Sequence, residues 1–318
     1  MTPQLILCLY LVCALSAFAQ EGTHRRVIPT TQNQTEAISL FGMPLYRIDL
    51  PEVTRAQLDS QYATAQAQYN ENPADADRII WLGRRAAYLW RYREAIDMFS
   101  SGINAFPADA RMYRHRGHRY ITVREFDNAI SDLEKAASLI YNRPDEVEPD
   151  GQPNAYNIPT GTLNSNIWYH LGLAYYLKGD FQNALRGFTE CRKFSNNPDM
   201  LVATSDWLYM ILRRLGKTVE ATTVLASISK DMNILENIAY HRRLLMYKGE
   251  LPVDSLLNLQ NASDLDLATY GYGVGNWYLY NGKSEQAKEM FERVLAGKYW
   301  AAFGYIAAEA DLKRMQTK

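Results

Sequence analysis

The sequence predicts an all-α protein, an α-solenoid built from helix–turn–helix units stacked one on the next. Two observations carry that prediction. The first is the stretch 165–198. There Trp168, Leu171 and Tyr175 recur at steps of three and four, which is one face of a helix. Gly172 sits beside that face and lets a second helix approach closely. Gly179-Asp180 supply turn chemistry. Ala184 and Phe188 lie one turn apart on a second helix and pack back on the first, and Cys191 takes the small position after them. The second observation is recurrence. The same spacing returns upstream and downstream at a period of about 34 residues, and one such unit cannot bury its apolar face without neighbours.

Taken in order, residues 1–19 carry no charged side chain. An apolar run over 5–15 ends in Ser16-Ala17-Phe18-Ala19, which reads as a secretory signal peptide cut after Ala19. No Lys or Arg precedes the run, so an uncleaved anchor is the other reading, a span needing about 20 apolar residues. Neither Cys8 nor Cys13 follows a small residue, which argues against a lipoprotein signal. No later stretch is long and apolar enough to cross a bilayer. Cleavage leaves Cys191 as the one cysteine, hence no internal disulfide, and its place in the unit makes it a buried small residue.

Residues 20–50 form a leader and an extended segment. The part to about residue 40 is polar, with Pro29, and reads as flexible. The apolar part, 41–50, is expected to lie extended against the first helices. The solenoid then occupies 51–318. Its first helix runs from Pro51 to Asn70 with Leu58, Tyr62, Ala65 and Tyr69 on one face, and Asn72-Pro73 ends it. Residues 76–109 are a full unit, with Ile79, Leu82, Gly83, Ala95, Phe99 and Pro107 in register. Residues 110–143 follow without a gap, with Tyr113, Gly117, Tyr120, Ala129, Leu133 and Ala136; Arg116 stands where an aliphatic residue is expected. Residues 144–164 break the register with Pro144, Pro149, Pro153 and Pro159 beside Asp145, Glu146, Glu148 and Asp150. A loop this long inside a compact array is functional or disordered.

After the 165–198 unit, residues 202–235 repeat the pattern more weakly through Leu208, Leu212, Gly216, Ala221 and Leu225. Tyr209 takes the glycine position there, so the two helices are expected to splay. Residues 235–260 are degenerate: the Lys248-Gly249 turn survives, while Asp254 replaces the small Ala. Residues 268–301 recover the pattern with Gly275, Tyr278, Gly282, Ala287 and Phe291. A last helix over 300–315 offers an apolar stripe, Phe303, Ile306, Ala307 and Ala310, and a wet side, Asp311, Lys313 and Arg314, as a solenoid cap needs.

The composition agrees with a folded chain. Of 318 residues 47% are hydrophobic and 22% charged, with formal net charge −1, which excludes a disordered chain and lends nothing to nucleic-acid binding. The 22 Tyr and 6 Trp are assigned mostly to the core of the stacked units.

The unit resembles the tetratricopeptide repeat (TPR), and the resemblance covers about two thirds of the chain. It implies a right-handed solenoid with an N-terminal extension and a C-terminal capping helix. It also implies an interaction scaffold rather than an enzyme, with no cofactor, binding a peptide or protein partner in a concave groove lined by the first helices. Carried over residue by residue, the groove positions are held by Arg84 and Tyr88, by Arg111, Arg114, His115 and His118, by Tyr169, His170 and Tyr176, and by Asn276. The carboxylate-clamp pattern of some TPR proteins is absent, since Ile80, Arg84 and His115 stand where it wants Lys and Asn.

The run Arg114-His115-Arg116-Gly117-His118-Arg119 is the least ordinary in the chain. One reading is an anion-binding wall, because guanidinium forks match carboxylate and phosphate. The other is internal pairing with Glu125 and Asp127 or with the acidic loop, of small energetic consequence at a surface. His115 and His170 share a groove position, so with His118 and the loop carboxylates they also suggest a metal site. No His-Glu-x-x-His and no cysteine pair supports that, and plain groove-lining histidines are the simpler reading. No catalytic triad is visible as a motif. Gly271-Tyr272-Gly273-Val274-Gly275 lacks a preceding strand and falls within a helix, so it is assigned to close packing, not to phosphate.

The reading that results is an exported scaffold of the bacterial periplasm or outer membrane. Its partner carries acidic or carboxylate groups, and the cellular setting rests on analogy. A metal-binding protein or hydrolase built on the histidines and the acidic loop is the competing reading.

Overall fold

The computed structural model of the chain describes residues 34–257 and 264–316. The expected signal peptide, and the leader up to residue 33, lie outside the described residues. Two short strands come first, β1 (Thr35–Ile38) and β2 (Pro44–Tyr46). Helices follow: α1 (Glu52–Glu71), α2 (Ala76–Tyr88), α3 (Tyr92–Ala105), α4 (Ala110–Thr122), α5 (Phe126–Ile140), α6 (Leu163–Lys178), α7 (Phe181–Lys193), α8 (Pro198–Arg214) and α9 (Thr218–Leu225). Then come α10 (Ile238–Tyr247), two short pieces α11 (Asp254–Leu257) and α12 (Asp264–Asp266), a π turn over Leu267–Gly271, α13 (Tyr272–Tyr280), α14 (Ser284–Leu295) and α15 (Phe303–Gln316). The fold is an all-α solenoid of stacked helix–turn–helix units of the TPR kind.

Local chemistry starts and stops these helices. Asp75 accepts from the Asp77 and Arg78 amides, Asp109 from Arg111, and Asp180 from Asn183. Thr162 and Ser165 form a reciprocal capping box on α6, and Pro198 follows the Asn197 cap of α8. Gly179 closes α6 with φ +85°, a left-handed turn that favours glycine. Within each unit one glycine lets the two helices touch. A β-carbon at Gly83, Gly117, Gly172 or Gly275 would lie within 2.6–2.7 Å of Phe99, Leu133, Phe188 or Phe291 respectively. These contacts are the packing that the 165–198 pattern predicted.

Several expectations need correction. The segment read as a flexible leader enters an antiparallel hairpin, β1 with β2, turned at Gly42. Buried Glu36 anchors it: the carboxylate accepts from Arg47 Nε at 2.6 Å and from the Arg93 amide of α3 at 3.0 Å. The hairpin also reaches the far end of the chain, where Leu40 N donates to Glu309 at 2.5 Å and Trp300 Nε1 donates to the Tyr46 carbonyl at 2.7 Å. So the extended segment touches the last helix as well as the first ones.

The fourth unit starts earlier than read, at Pro198. Tyr209 does not hold α8 off α9. Its ring stacks on Tyr247 of α10, with centroids 4.6 Å apart and planes at 10°. Asp199 orders the connection into α10 by accepting from the Leu235, Glu236 and Asn237 amides at 2.8–3.0 Å.

The wet side assigned to α15 is wet only in part: Lys313 is exposed and Arg314 half-buried, but Asp311 is not at the surface. Asp311 is buried, accepts from Arg214 and Arg314 at 2.7 Å, and accepts from the Tyr272 hydroxyl at 3.0 Å. Burial pushes its carboxyl up, but Arg214 and Arg314 together outweigh that and hold it below the usual range. Glu309 pairs with buried Arg124 at 2.8 Å, and Arg314 Nη1 donates to the Leu177 carbonyl at 2.8 Å. Phe303 packs against the rings of His118 and His170. Thus α15 packs on α14 and also enters the concave side of the second and third units.

The glycines of 271–275 serve packing. A β-carbon at Gly273 would sit 2.5 Å from Arg243 Nε, and Arg243 is locked to buried Asp206 through an Nε–Oδ1 bond of 3.0 Å.

Candidate functional site

Three parallel first helices, α2, α4 and α6, present Arg84 and Tyr88, then Arg114, His115 and His118, then Tyr169 and His170. The loop 144–162 lies across them. Its base is a short antiparallel ladder: Leu163 N donates to the Glu146 carbonyl at 2.8 Å, and Glu148 N to the Gly161 carbonyl at 3.2 Å. The loop then meets the basic residues. Arg84 Nη2 donates to the Pro149 carbonyl at 2.8 Å, Arg85 Nη1 to the Gly151 carbonyl at 2.7 Å, and Arg114 Nη2 pairs with Glu148 at 2.9 Å. Gly151 lies so close that a β-carbon there would fall 1.7 Å from the Tyr88 hydroxyl. At its far end Thr160 donates to Glu236 at 2.5 Å, and Asn154 to the same carboxylate at 3.2 Å.

Under this roof is a cleft of about 360 Å³, walled by Arg84, Tyr88 and Arg114 on one side, by Tyr169, His170 and Tyr240 on another, and closed by Phe303. Beside it, sharing Arg84, Tyr88 and Arg114, is a smaller cavity of about 110 Å³ that reaches His115, His118 and Arg119. The seam between loop and wall is incompletely bonded. Arg114 Nε, Glu148 Oε2 and Asp150 Oδ2 are buried without a hydrogen-bond partner.

Burial dominates the electrostatics. It presses the pKa of His115, His118 and His170 well below the ordinary 6.5, and the neighbouring arginines Arg114 and Arg119 press in the same direction. These histidines are neutral at pH 7. Burial also brings Arg119 down to about 10, with repulsion from Arg114 and Arg84 adding to it and the Tyr92 and Tyr88 rings opposing. Asp150 is pushed up by burial and by Glu236.

Arg84, Tyr88, Arg114, His115, His118, Tyr169 and His170 therefore converge on two adjoining spaces. Arg111 does not join them: it is tied to Asp109 and, at 2.6 Å, to Asp77, at the edge of the loop. Tyr176 is fully buried behind α15, its hydroxyl bonded to that of Tyr272. Asn276 is likewise buried and accepts from Arg214 at 2.9 Å. Both groove positions are covered within the fold, that of Tyr176 by Tyr272 of α13 and that of Asn276 by Arg214 of α8. Of the internal pairs expected for the basic run, Glu148 of the loop takes Arg114, while Arg116 is held by Asp132 in a two-pronged bond at 2.7 and 2.8 Å. Glu125 and Asp127 go instead to Arg93 and Lys178.

Among the described residues no group of three or more His, Cys, Asp or Glu is arranged to hold a metal. His118 and His170 do meet, with ring centroids 4.2 Å apart, but His170 Nδ1 bonds the Asn166 carbonyl and His115 Nδ1 faces Arg114. Cys191 is buried, and burial raises its thiol to about 11, so it is an inert packing residue. No helix among the described residues is long and apolar enough to cross a membrane.

Sequence reasoning missed Arg119, Tyr240, Glu236 and Phe303. Arg119 was in view within the basic run, but it falls outside the groove positions that the TPR resemblance supplies. The other three face the cleft only because α10 and α15 turn toward it.

No family model matches the chain, and no curated protein matches it. Solved structures similar to it include YrrB, described as a TPR protein with an unusual peptide-binding site, at 16% identity and TM-score 0.42 over 78% of this chain and 97% of that one. A tetratricopeptide repeat protein from Parabacteroides merdae is similar at 14% identity and TM-score 0.47 over 82% and 94%. The APC/C hetero-tetramer Cut9–Hcn1 is similar at 16% identity and TM-score 0.47 over 82% and 46%. The fold assignment rests on the helix pairs and glycine contacts described above.

Proposed function

We propose that this protein is an interaction scaffold that receives an acidic segment of a protein partner in the cleft beneath the 144–162 loop. The observation that carries this reading is the seat of Glu148. A loop carboxylate lies on Arg114, yet its second oxygen, the Arg114 Nε and an Asp150 oxygen are left unbonded. A buried polar seam in that state is costly, so a segment that satisfies it better displaces the loop. The cleft asks for a carboxylate beside an aromatic or apolar group, since Tyr88, Tyr169, Tyr240 and Phe303 line it with Arg84 and Arg114. The apolar run over 5–15 and the Ala-Phe-Ala end support export, and the setting proposed is the bacterial cell envelope.

The test is capture from an envelope extract, read by mass spectrometry, with Arg84→Glu combined with Arg114→Glu as the contrast. Capture is expected to disappear while the helical circular dichroism stays, and wild-type capture is expected to weaken as salt rises. Unfolding of the double variant would make these arginines structural and would end the reading. Intact mass of the protein from its native host tests export: a chain beginning at Gln20 is expected, and one beginning at Met1 would refute cleavage.

A further inference from the structure

The 110 Å³ cavity has a different character from the cleft. Its walls are Arg84, Arg114, Arg119, His115, His118 and Tyr88, with Ala87 and Phe99 completing them, and no carboxylate lines it. The charges do not cancel locally. Glu148 neutralises Arg114, but among the described residues neither Arg84 nor Arg119 has a carboxylate within ion-pair distance. Arg119 lies over the Tyr92 ring at 5.7 Å and forms no hydrogen bond to any described residue through its guanidinium. Arg114 is 7% exposed, and its Nε has no partner. The His118 ring nitrogens likewise bond to none of the described residues. Arg84 and Arg119 are half-buried. A partly desolvated cation without an ion-pair partner is unfavourable, and a polar cavity beside it is where a counter-ion would reside.

We propose that this cavity binds a small, doubly charged oxyanion of the phosphate or sulfate class. Arg119 supplies a charge with no ion pair, and Arg84, which already donates to the Pro149 carbonyl and feels the Asp150 carboxylate, supplies a second. Their guanidinium forks, the free Arg114 Nε and the N–H of neutral His118 supply donors in number suited to a tetrahedral anion. Phe99 stacks on His115, with centroids 5.4 Å apart, and closes the back of the site, so the ion sits out of bulk water where each contact counts for more. The site shares Arg84, Tyr88 and Arg114 with the cleft, whereas Arg119 and His118 line this cavity and not the cleft, so the variants that test it are made there.

The experiment is isothermal titration of the purified chain with inorganic phosphate, with sulfate, and with acetate, against sodium chloride at equal ionic strength. Melting curves are recorded in the same buffers. Wild type is expected to show one saturable site for phosphate or sulfate and a melting temperature above that in matched chloride. Arg119→Gln is expected to bind roughly tenfold more weakly or not at all. In phosphate-free buffer it should melt at or above wild type, because an uncompensated charge has gone, and the order should reverse in phosphate. Arg119→Lys keeps the charge and loses the fork, and is expected to bind with intermediate affinity. Absence of a saturable site on wild type would overturn the proposal, as would equal binding by Arg119→Gln. Acetate binding more tightly than phosphate would overturn the assignment to a doubly charged ion. Should Arg119→Gln fail to fold, His118→Gln is the second variant, and unchanged phosphate affinity there would count against the site. Phosphate binding together with failed partner capture would sink the partner reading alone, and the converse result would sink this one alone.

Discussion

At the scale of single residues, the glycines are the clearest case. A β-carbon on Gly172 would lie 2.6 Å from Cδ2 of the Phe188 ring, and one on Gly187 would lie 2.7 Å from the Gly172 α-carbon. Neither partner can yield, one being a buried ring and the other backbone. Gly172→Leu is therefore expected to destabilise by about 3 kcal/mol or more through overpacking. Denaturant unfolding reads this directly, and an unchanged midpoint would refute the contact. These positions were legible in the sequence because glycine at a fixed distance from a large apolar residue repeats in unit after unit. The buried polar pairs were not legible. Asp206 with Arg243, and Asp199 with the 235–237 amides, join residues more than thirty positions apart, and no local pattern marks either partner.

Titration belongs at the same scale. The neutral histidines of the site have pKa values below the 6.5 of an unfolded chain, because burial and the adjacent arginines disfavour their charge. Below about pH 6.5 the unfolded chain therefore binds more protons than the folded one, and stability falls with pH, by up to about 1.4 kcal/mol per pH unit for each histidine. Melting temperatures are expected to decline from pH 7.5 to pH 5, and His170→Gln is expected to flatten that decline. A melting temperature independent of pH over this range would show that the histidines are hydrated. Asp311 acts in a separate, more acid window. Its lowered pKa contributes stability that is fully present above the ordinary carboxylate value of 3.8 and is lost as pH falls below that value and through the lowered one.

At the scale of elements, helices were far easier to read than the hairpin and the loop. The α2–α7 helices announce themselves by the period of their apolar residues. The hairpin comprises strands of only four and three residues, and what holds it is Glu36 against Arg93 and Trp300 against Tyr46, contacts that exist only after the chain has folded around them. The loop was legible as an acidic interruption, but its seat on Arg84, Arg85 and Arg114 depends on geometry. Gly151 makes that seat testable. Since any β-carbon there meets the Tyr88 hydroxyl, Gly151→Val is expected to lift the loop while leaving the helices intact. Partner capture should then strengthen, and loop cleavage by a nonspecific protease should speed up. Unchanged proteolysis would mean the loop does not need that approach.

At the scale of the molecule, the array folds back on itself. A simple solenoid contacts only its neighbours, and its units can open one at a time. Here four bonds tie distant parts together: Leu40 to Glu309, Trp300 to Tyr46, Arg124 to Glu309, and Arg314 to Leu177, separated by 269, 254, 185 and 137 residues. Glu309 is in two of them and is almost fully buried. Opening the first units alone would expose Arg124 and Glu309 together, so the ends share one transition. Unfolding in denaturant is then expected to be a single step in which circular dichroism and tryptophan fluorescence coincide. Glu309→Ala strands Arg124 without its counter-charge, at a cost of about 3–5 kcal/mol. It also frees the hairpin from α15. The two probes are expected to separate in that variant, fluorescence from Trp300 and Trp90 moving first, while Trp207 of the fourth unit, stacked on Phe188 of the third, holds. If Glu309→Ala lowers stability yet keeps the probes superimposed, the units are coupled through their shared core and closure of the ends is not what makes the molecule cooperative.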